Sequence, residues 1–345
     1  MKSFKNYNLY VFISTFARNI IDAYSVIYLY NYQITIRNII LIYSICYFLG
    51  SIISYISIEL GSKIGYKYIL IFSSLITIVT FYIINNNFNK YIIAIFMSLS
   101  LFTYHPIKHY YGLMLSNKIK NIGYTLITTY IAVLLSSFLA VNNNLNCLII
   151  IQIASIITAL FIKKENIPKI NYKKSITKKQ YYFFAFDQFR VIFILLEPLY
   201  LYTISKNISY ITSFNIILTV ASILYIYFIT SISNIQKLYK YINIIFVLLL
   251  LLKININNSR LLLITAFLEG IGIKNSELIS TMNLYNNKQN KWYIIESEII
   301  ISIIKSLILA IIYFLNIELK IIMYILIIGI MILSFIYPEK KKNTI

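Results

Sequence analysis

Residues Ile58-Glu59-Leu60-Gly61-Ser62-Lys63-Ile64-Gly65-Tyr66-Lys67 join two apolar runs, 38–58 and 67–84, through a short, basic, glycine-punctuated connection. At 1.5 Å per helical residue, each run is about as long as the ~30 Å hydrocarbon core of a bilayer is thick. The end of this stretch recurs: Tyr66-Lys67-Tyr68-Ile69 reappears as Tyr239-Lys240-Tyr241-Ile242, displaced by 173 residues. A second echo has nearly the same displacement. Arg18 is followed twelve residues later by Tyr30 in Tyr28-Leu29-Tyr30, and Arg190 by Tyr202 in Tyr200-Leu201-Tyr202, an offset of 172 in a chain of 345 residues. Two matches at half the chain length predict a parallel internal duplication.

Composition agrees with a membrane chain. It is 59% hydrophobic and 12% charged, against roughly 45–50% and 25% in soluble domains. A soluble enzyme or DNA-binding module is excluded. Twelve apolar spans are predicted, at 8–30, 38–58, 67–84, 91–115, 122–141, 145–162, 181–204, 208–230, 239–256, 260–281, 291–315 and 318–337. The first is expected to stay as a helix, because Arg18 and Asp22 interrupt it and no small-residue cleavage site follows. The net charge of +20 reports orientation. With both termini cytoplasmic, twenty Lys fall in inner segments, and six cations (Arg37, Lys90, Lys206, Lys253, Arg260 and Lys320) fall in outer loops. The basic linker 163–180 divides the chain into bundles 1–162 and 181–345. No nucleic acid is expected as a partner.

The loop 58–67 resembles the signature loop between helices two and three of the major facilitator superfamily, with Lys63, Gly65 and Lys67 fitting its pattern. Ser62 stands where the family has an acid, Ile58 where it has the first glycine and Tyr66 where it has one base, while Glu59 is near enough to substitute. Phe102-Thr103-Tyr104-His105-Pro106 is similar to a segment of some exporters of that superfamily. The resemblance implies an all-α fold of two six-helix bundles, with spans 1, 4, 7 and 10 around a central cavity and every third span facing lipid. It also implies a multi-pass transporter of the cell membrane, monomeric, with a small-molecule substrate and the bilayer as partners and no cofactor.

Charge inside a bilayer costs at least ~2.5 kcal/mol per group unless it faces water or a partner. Such groups concentrate on five spans: Arg18 and Asp22 on the first, His105, Lys108 and His109 on the fourth, Asp187, Arg190 and Glu197 on the seventh, Glu269, Lys274 and Glu277 on the tenth, and Glu296, Glu298 and Lys305 on the eleventh. Arg18 and Arg190 lie near mid-membrane at matching places in the repeat. Two readings stand side by side. They form a bidentate clamp for an organic anion, as in organic-phosphate exchangers of the superfamily, or each is neutralised on its own helix, by Asp22 and Asp187. His105 is a further substrate-binding candidate. Glu269, about 14 Å into its span, is a candidate proton carrier or the salt-bridge partner of an arginine. Asp22, Asp187 and Glu197 are candidates for proton coupling or gating, and Glu298 and Lys305 read as structural, in ion pairs with other helices. His105 and His109 at i, i+4 lack an acidic or Cys partner, so no metal site is expected.

Secondary transport is thus the leading function, driven by protons or by exchange. A drug-type exporter is one alternative, and a polytopic membrane enzyme acting on lipid is another. Enzymes of that kind carry paired acids in sizeable surface loops, which this chain lacks, so no catalytic residues are assigned.

Overall fold

The computed structural model describes residues 2–115, 119–140, 145–162, 176–229, 235–256, 258–286, 291–333 and 335. The linker up to Ser175 therefore lies outside the described residues. Among those described there are helices and no strand, and they fall into twelve spans. Span 1 is composite: an α-helix Lys2–Asn19, a π-helical turn Ile20–Tyr24 and an α-helix Ser25–Asn31. The others are Ile36–Ile64, Tyr66–Asn85, Lys90–Leu115, Ile119–Ala140, Leu145–Leu160, Lys178–Ser205, Ile208–Ile229, Ile235–Asn255, Ser259–Asn286, Lys291–Leu315 and Leu319–Leu333.

Local sequence sets several of these boundaries. Thr35 caps span 2 by accepting from the Asn38 amide, and Thr177 with Gln180 forms a reciprocal capping box at the start of span 7. Spans 2 and 3 meet at the single residue Gly65, whose φ of 110° lies where a side chain would be strained. The signature loop is thus a one-residue hinge between two helices.

Packing between helices obeys a pseudo-two-fold. Span 2 packs on span 4 as span 8 packs on span 10, and span 1 packs on 5 and 6 as span 7 packs on 11 and 12. Span 3 likewise contacts 4 and 6 as span 9 contacts 10 and 12. The joins between halves repeat too: span 2 against span 11, and span 5 against span 8. Adding six to each span number maps one set of contacts onto the other, which is what the offsets of 172 and 173 predicted.

Hydropathy sorts the spans by position in this array. Spans 2, 3, 8 and 11 are long and apolar enough to cross a membrane by composition alone, and spans 5, 6, 9 and 12 contain shorter apolar helices. Among the described residues, spans 1, 4, 7 and 10 meet neither description. Residues facing outward include Phe72 and Tyr82 on span 3, Ile150 and Ile157 on span 6, Ile245 and Leu252 on span 9, and Ile328 on span 12. Apolar side chains on an outer ring are what a hydrocarbon solvent requires.

Candidate functional site

Between the halves lies a cavity with two lobes that share Tyr47, Val191 and Leu195. The first lobe, about 280 Å³, is lined by Tyr47 and His105 from the first half and by Asp187, Gln188, Glu298 and Lys305 from the second. The second, about 350 Å³, is lined by Asn19 and Tyr130 from the first half and by Glu197, Asn215, Lys274 and Glu277 from the second. Every lining residue comes from spans 1, 2, 4, 5, 7, 8, 10 or 11, with none from 3, 6, 9 or 12.

Aromatic rings and balanced charges shape the first lobe. The Tyr47 ring packs edge-on to Phe102 at 5.8 Å and lies 4.9 Å from Lys305 Nζ. His105 sits 5.2 Å from the ring of Tyr104. Asp187 accepts from Arg190 Nε at 2.7 Å and from Nη2 at 3.1 Å. Gln188 spends its amide on the Phe184 carbonyl at 2.7 Å. Its Oε1 is buried and has no hydrogen-bond partner among the described residues. A buried acceptor left over in a cavity wall is a place for a ligand donor, since an unmade bond there costs about 1–3 kcal/mol. Beside Lys305, spans 2 and 11 are pinned by reciprocal bonds, Ser44 Oγ to the Ser306 carbonyl at 3.0 Å and Ser306 Oγ to the Ser44 carbonyl at 2.9 Å.

A tether between halves borders the second lobe. Tyr130 on span 5 donates to Glu277 Oε1 at 2.6 Å, and Lys274 donates to both Tyr130 and Glu277. Asn215 on span 8 donates to Tyr24 on span 1 at 3.1 Å, and Tyr30 meets Tyr202 edge-on at 6.2 Å.

The candidates from sequence separate into those at the cavity and those away from it. His105, Asp187 and Glu197 line it. Arg18 does not: its guanidinium is 1% exposed and lies inside the first bundle. Nε donates to Ser14 Oγ at 3.0 Å, Nη1 to the Ser100 carbonyl at 2.8 Å and to Ser100 Oγ at 3.1 Å, and Nη2 to Ser73 Oγ at 2.8 Å. The Tyr104 ring covers it at 4.2 Å. Arg190 is buried and also lines neither lobe. The expected clamp across the cavity is therefore not assembled, because hydroxyls of spans 3 and 4 hold one guanidinium while Asp187 holds the other. Asp22 falls in the π-helical turn, and its side chain is outside the described residues.

Three further expectations change. Lys253, assigned to an outer loop, is 1% exposed inside span 9, where it donates to Glu197 and, at 2.6 Å, to Glu269 Oε2. Glu269 consequently pairs with a lysine and with neither arginine. Glu298 and Lys305, read as structural, line the first lobe. Lys253 and Gln188 were missed for different reasons: a lysine near a helix end ordinarily snorkels outward, and a neutral amide leaves no charge signal. In the signature loop, Lys63 pairs with Glu59 at 3.2 Å and Lys67 donates to the Leu160 carbonyl of span 6.

Two pseudo-symmetric six-helix bundles thus enclose a polar cavity between them. No protein-family model matches the chain, and no curated protein matches it. Among solved structures it is similar to the nucleoside transporter NupG, with 12% identity, a TM-score of 0.66, and 97% of this chain and 98% of that one covered. It is also similar to the E. coli fucose:proton symporter FucP, with 14% identity, a TM-score of 0.63, and 98% and 100% covered. The chain has the fold of the major facilitator superfamily, as the residues of the signature loop suggested.

Proposed function

We propose that the protein is a secondary transporter of a small, uncharged, hydroxyl-bearing solute. One observation carries the choice of solute: the described charges at the cavity leave no net positive charge there, Glu197 itself being held by Lys253. Asp187 is paired with Arg190 and Glu277 with Lys274, while Glu298 and Lys305 offer one charge of each sign to the first lobe. Such a wall gives no net reward to an anion, and Arg18 spends its donors elsewhere. The Gln188 acceptor, the neighbouring rings of Tyr47 and Phe102, and a volume of a few hundred Å³ suit a sugar or a nucleoside. The solutes named for NupG and FucP agree with this reading. The bundles 1–162 and 181–345 rock about the cavity in the cell membrane, joined by a cytoplasmic linker, with both termini inside and the chain acting as a monomer.

The test is thermal stabilisation of purified protein by nucleosides, hexoses, sugar phosphates and dicarboxylates, followed by flux in proteoliposomes. Uncharged solutes should stabilise wild type, and Gln188→Ala should lose that response while unfolding at a similar temperature. Stabilisation confined to the anions would overturn the choice of solute and make Lys305 and Lys274 the candidate anion ligands.

A further inference from the structure

Spans 7, 9 and 10 bury an odd number of charges in one place. Lys253 bridges Glu197 and Glu269, and the three side chains are 1%, 4% and 0% exposed. Two carboxylates and one ammonium sum to −1 when all are ionised, and an uncompensated charge at such a depth is strongly unfavourable. Among the described residues the surroundings supply no further cation. Span 8 has no Asp, Glu, His, Lys or Arg between Ile208 and Ile229, its titratable groups being the phenols Tyr210, Tyr225 and Tyr227, and it presents the Phe214 ring 4.2 Å from Lys253 Nζ. From span 7 the neighbouring titratable group is Tyr200, whose hydroxyl donates to the Ile254 carbonyl at 2.9 Å. Span 12 offers Tyr324, which donates to Asn255 at 2.7 Å. On span 10 itself, Arg260 is exposed more than two turns away from Glu269, and Lys274 is engaged by Glu277. One oxygen has room for a proton: Glu269 Oε1 is fully buried and has no hydrogen-bond partner among the described residues. One member also opens onto the cavity, since Glu197 lines the second lobe.

We infer that Glu197, Lys253 and Glu269 form a binding site for a single proton, loaded from the solute cavity through Glu197 and stored on Glu269. The relay balances. Glu197 takes a proton from cavity water, Lys253 passes one of its own to Glu269 and recovers that of Glu197. The site ends as carboxylate, ammonium and carboxylic acid, with no net charge. Unloading runs the same steps backwards. This deepens the transporter reading and rests on it for its purpose: the proton's gradient would drive the solute, with Lys253 on span 9, outside the cavity wall, as the conducting residue.

The proton itself can be counted without any solute. Infrared difference spectra of purified protein in lipid, taken at neutral pH with hydrogen–deuterium exchange, should show one buried carboxylic acid C=O band in wild type. Both Glu269→Gln and Glu197→Gln should abolish it, because either leaves one carboxylate matched to one ammonium. Lys253→Met should roughly double it, because two unmatched acids would each keep a proton. A wild-type spectrum lacking the band, or a band that survives both glutamine variants, would overturn the site. Flux of labelled uridine and fucose provides the second arm. If neither crosses the membrane, the choice of solute fails while the proton count still stands. If either crosses, Glu269→Gln should exchange it at a near wild-type rate and lose accumulation driven by a proton gradient. Accumulation that persists would refute the coupling role.

Discussion

Arg18 and Arg190 occupy the same place in the two halves of the repeat, yet they are stabilised by different chemistry. The first is surrounded by the hydroxyls of Ser14, Ser73 and Ser100, a backbone carbonyl and a tyrosine ring. The second is forked onto the carboxylate of Asp187. The difference extends to whole bundles: eight of the chain's eleven acids follow residue 180. Among the described contacts, then, dipoles surround Arg18 while an opposite charge faces Arg190. The charged members of the cavity wall come mostly from the second half.

The comparison predicts a hierarchy of losses. Removing the whole counter-charge should cost most: Asp187→Ala leaves Arg190 buried without its carboxylate and is expected to lower stability by about 3–5 kcal/mol. Thermal unfolding in detergent reads this, and pairing Asp187→Leu with Arg190→Met should recover most of it. An unfolding temperature equal to wild type would show that the fork is dispensable and that the two halves do not differ in kind.

Next come the symmetry-related helix contacts. A Cβ on Gly270 of span 10 would lie 2.3 Å from the Leu218 carbonyl oxygen of span 8, whereas one on Gly50 of span 2 would lie 2.3 Å from the ring of Phe102 on span 4. Backbone cannot swing aside and a ring can. Gly270→Ala should therefore cost about 1–3 kcal/mol, and Gly50→Ala should fall clearly below it in the same assay. Equal losses would mean that the Phe102 ring is as immobile as backbone.

Loss of one dipole out of several should be milder in the first half. Ser73→Ala removes a single charge-assisted bond from Arg18, worth about 1.5–3 kcal/mol, and the expected loss is at the low end because Ser14 and Ser100 still hold the guanidinium. A drop as large as that of Asp187→Ala would erase the distinction between dipolar and ionic stabilisation. The smallest effect belongs to the signature loop: Glu59→Gln breaks a pair whose lysine is largely exposed and should shift stability by less than about 1 kcal/mol, visible as a small change in unfolding temperature. A larger shift would make Glu59 a latch between spans.

Much of the architecture was legible because membrane solvation acts along the chain. Length of apolar run gave the spans, and the spacing of Arg18 and Arg190 gave the duplication. The charged spans 1, 4, 7 and 10 also contribute residues to the cavity wall. The loop 58–67 pointed to the superfamily fold through residues that lie next to one another. The site was less legible. His105, Asp187 and Glu197 were found because ionisable groups in a bilayer stand out, and Gln188 escaped because an amide does not. Lys253 escaped because its position near a helix end is compatible with solvent until span 9 is seen packed against span 10.

By itself, then, the sequence determined how many times the chain crosses the bilayer, which spans carry charge and that the halves correspond, since all three depend on transfer from water to hydrocarbon residue by residue. Tertiary structure alone decided which charge meets which. A partner depends on the rotation of each helix about its axis and on its axial register against a neighbour distant in sequence, set here by contacts such as Ser44 with Ser306 and Gly270 with Leu218. That is why Arg18 met serines, why Glu269 met Lys253, and why a lysine read as a loop residue sits buried between two acids.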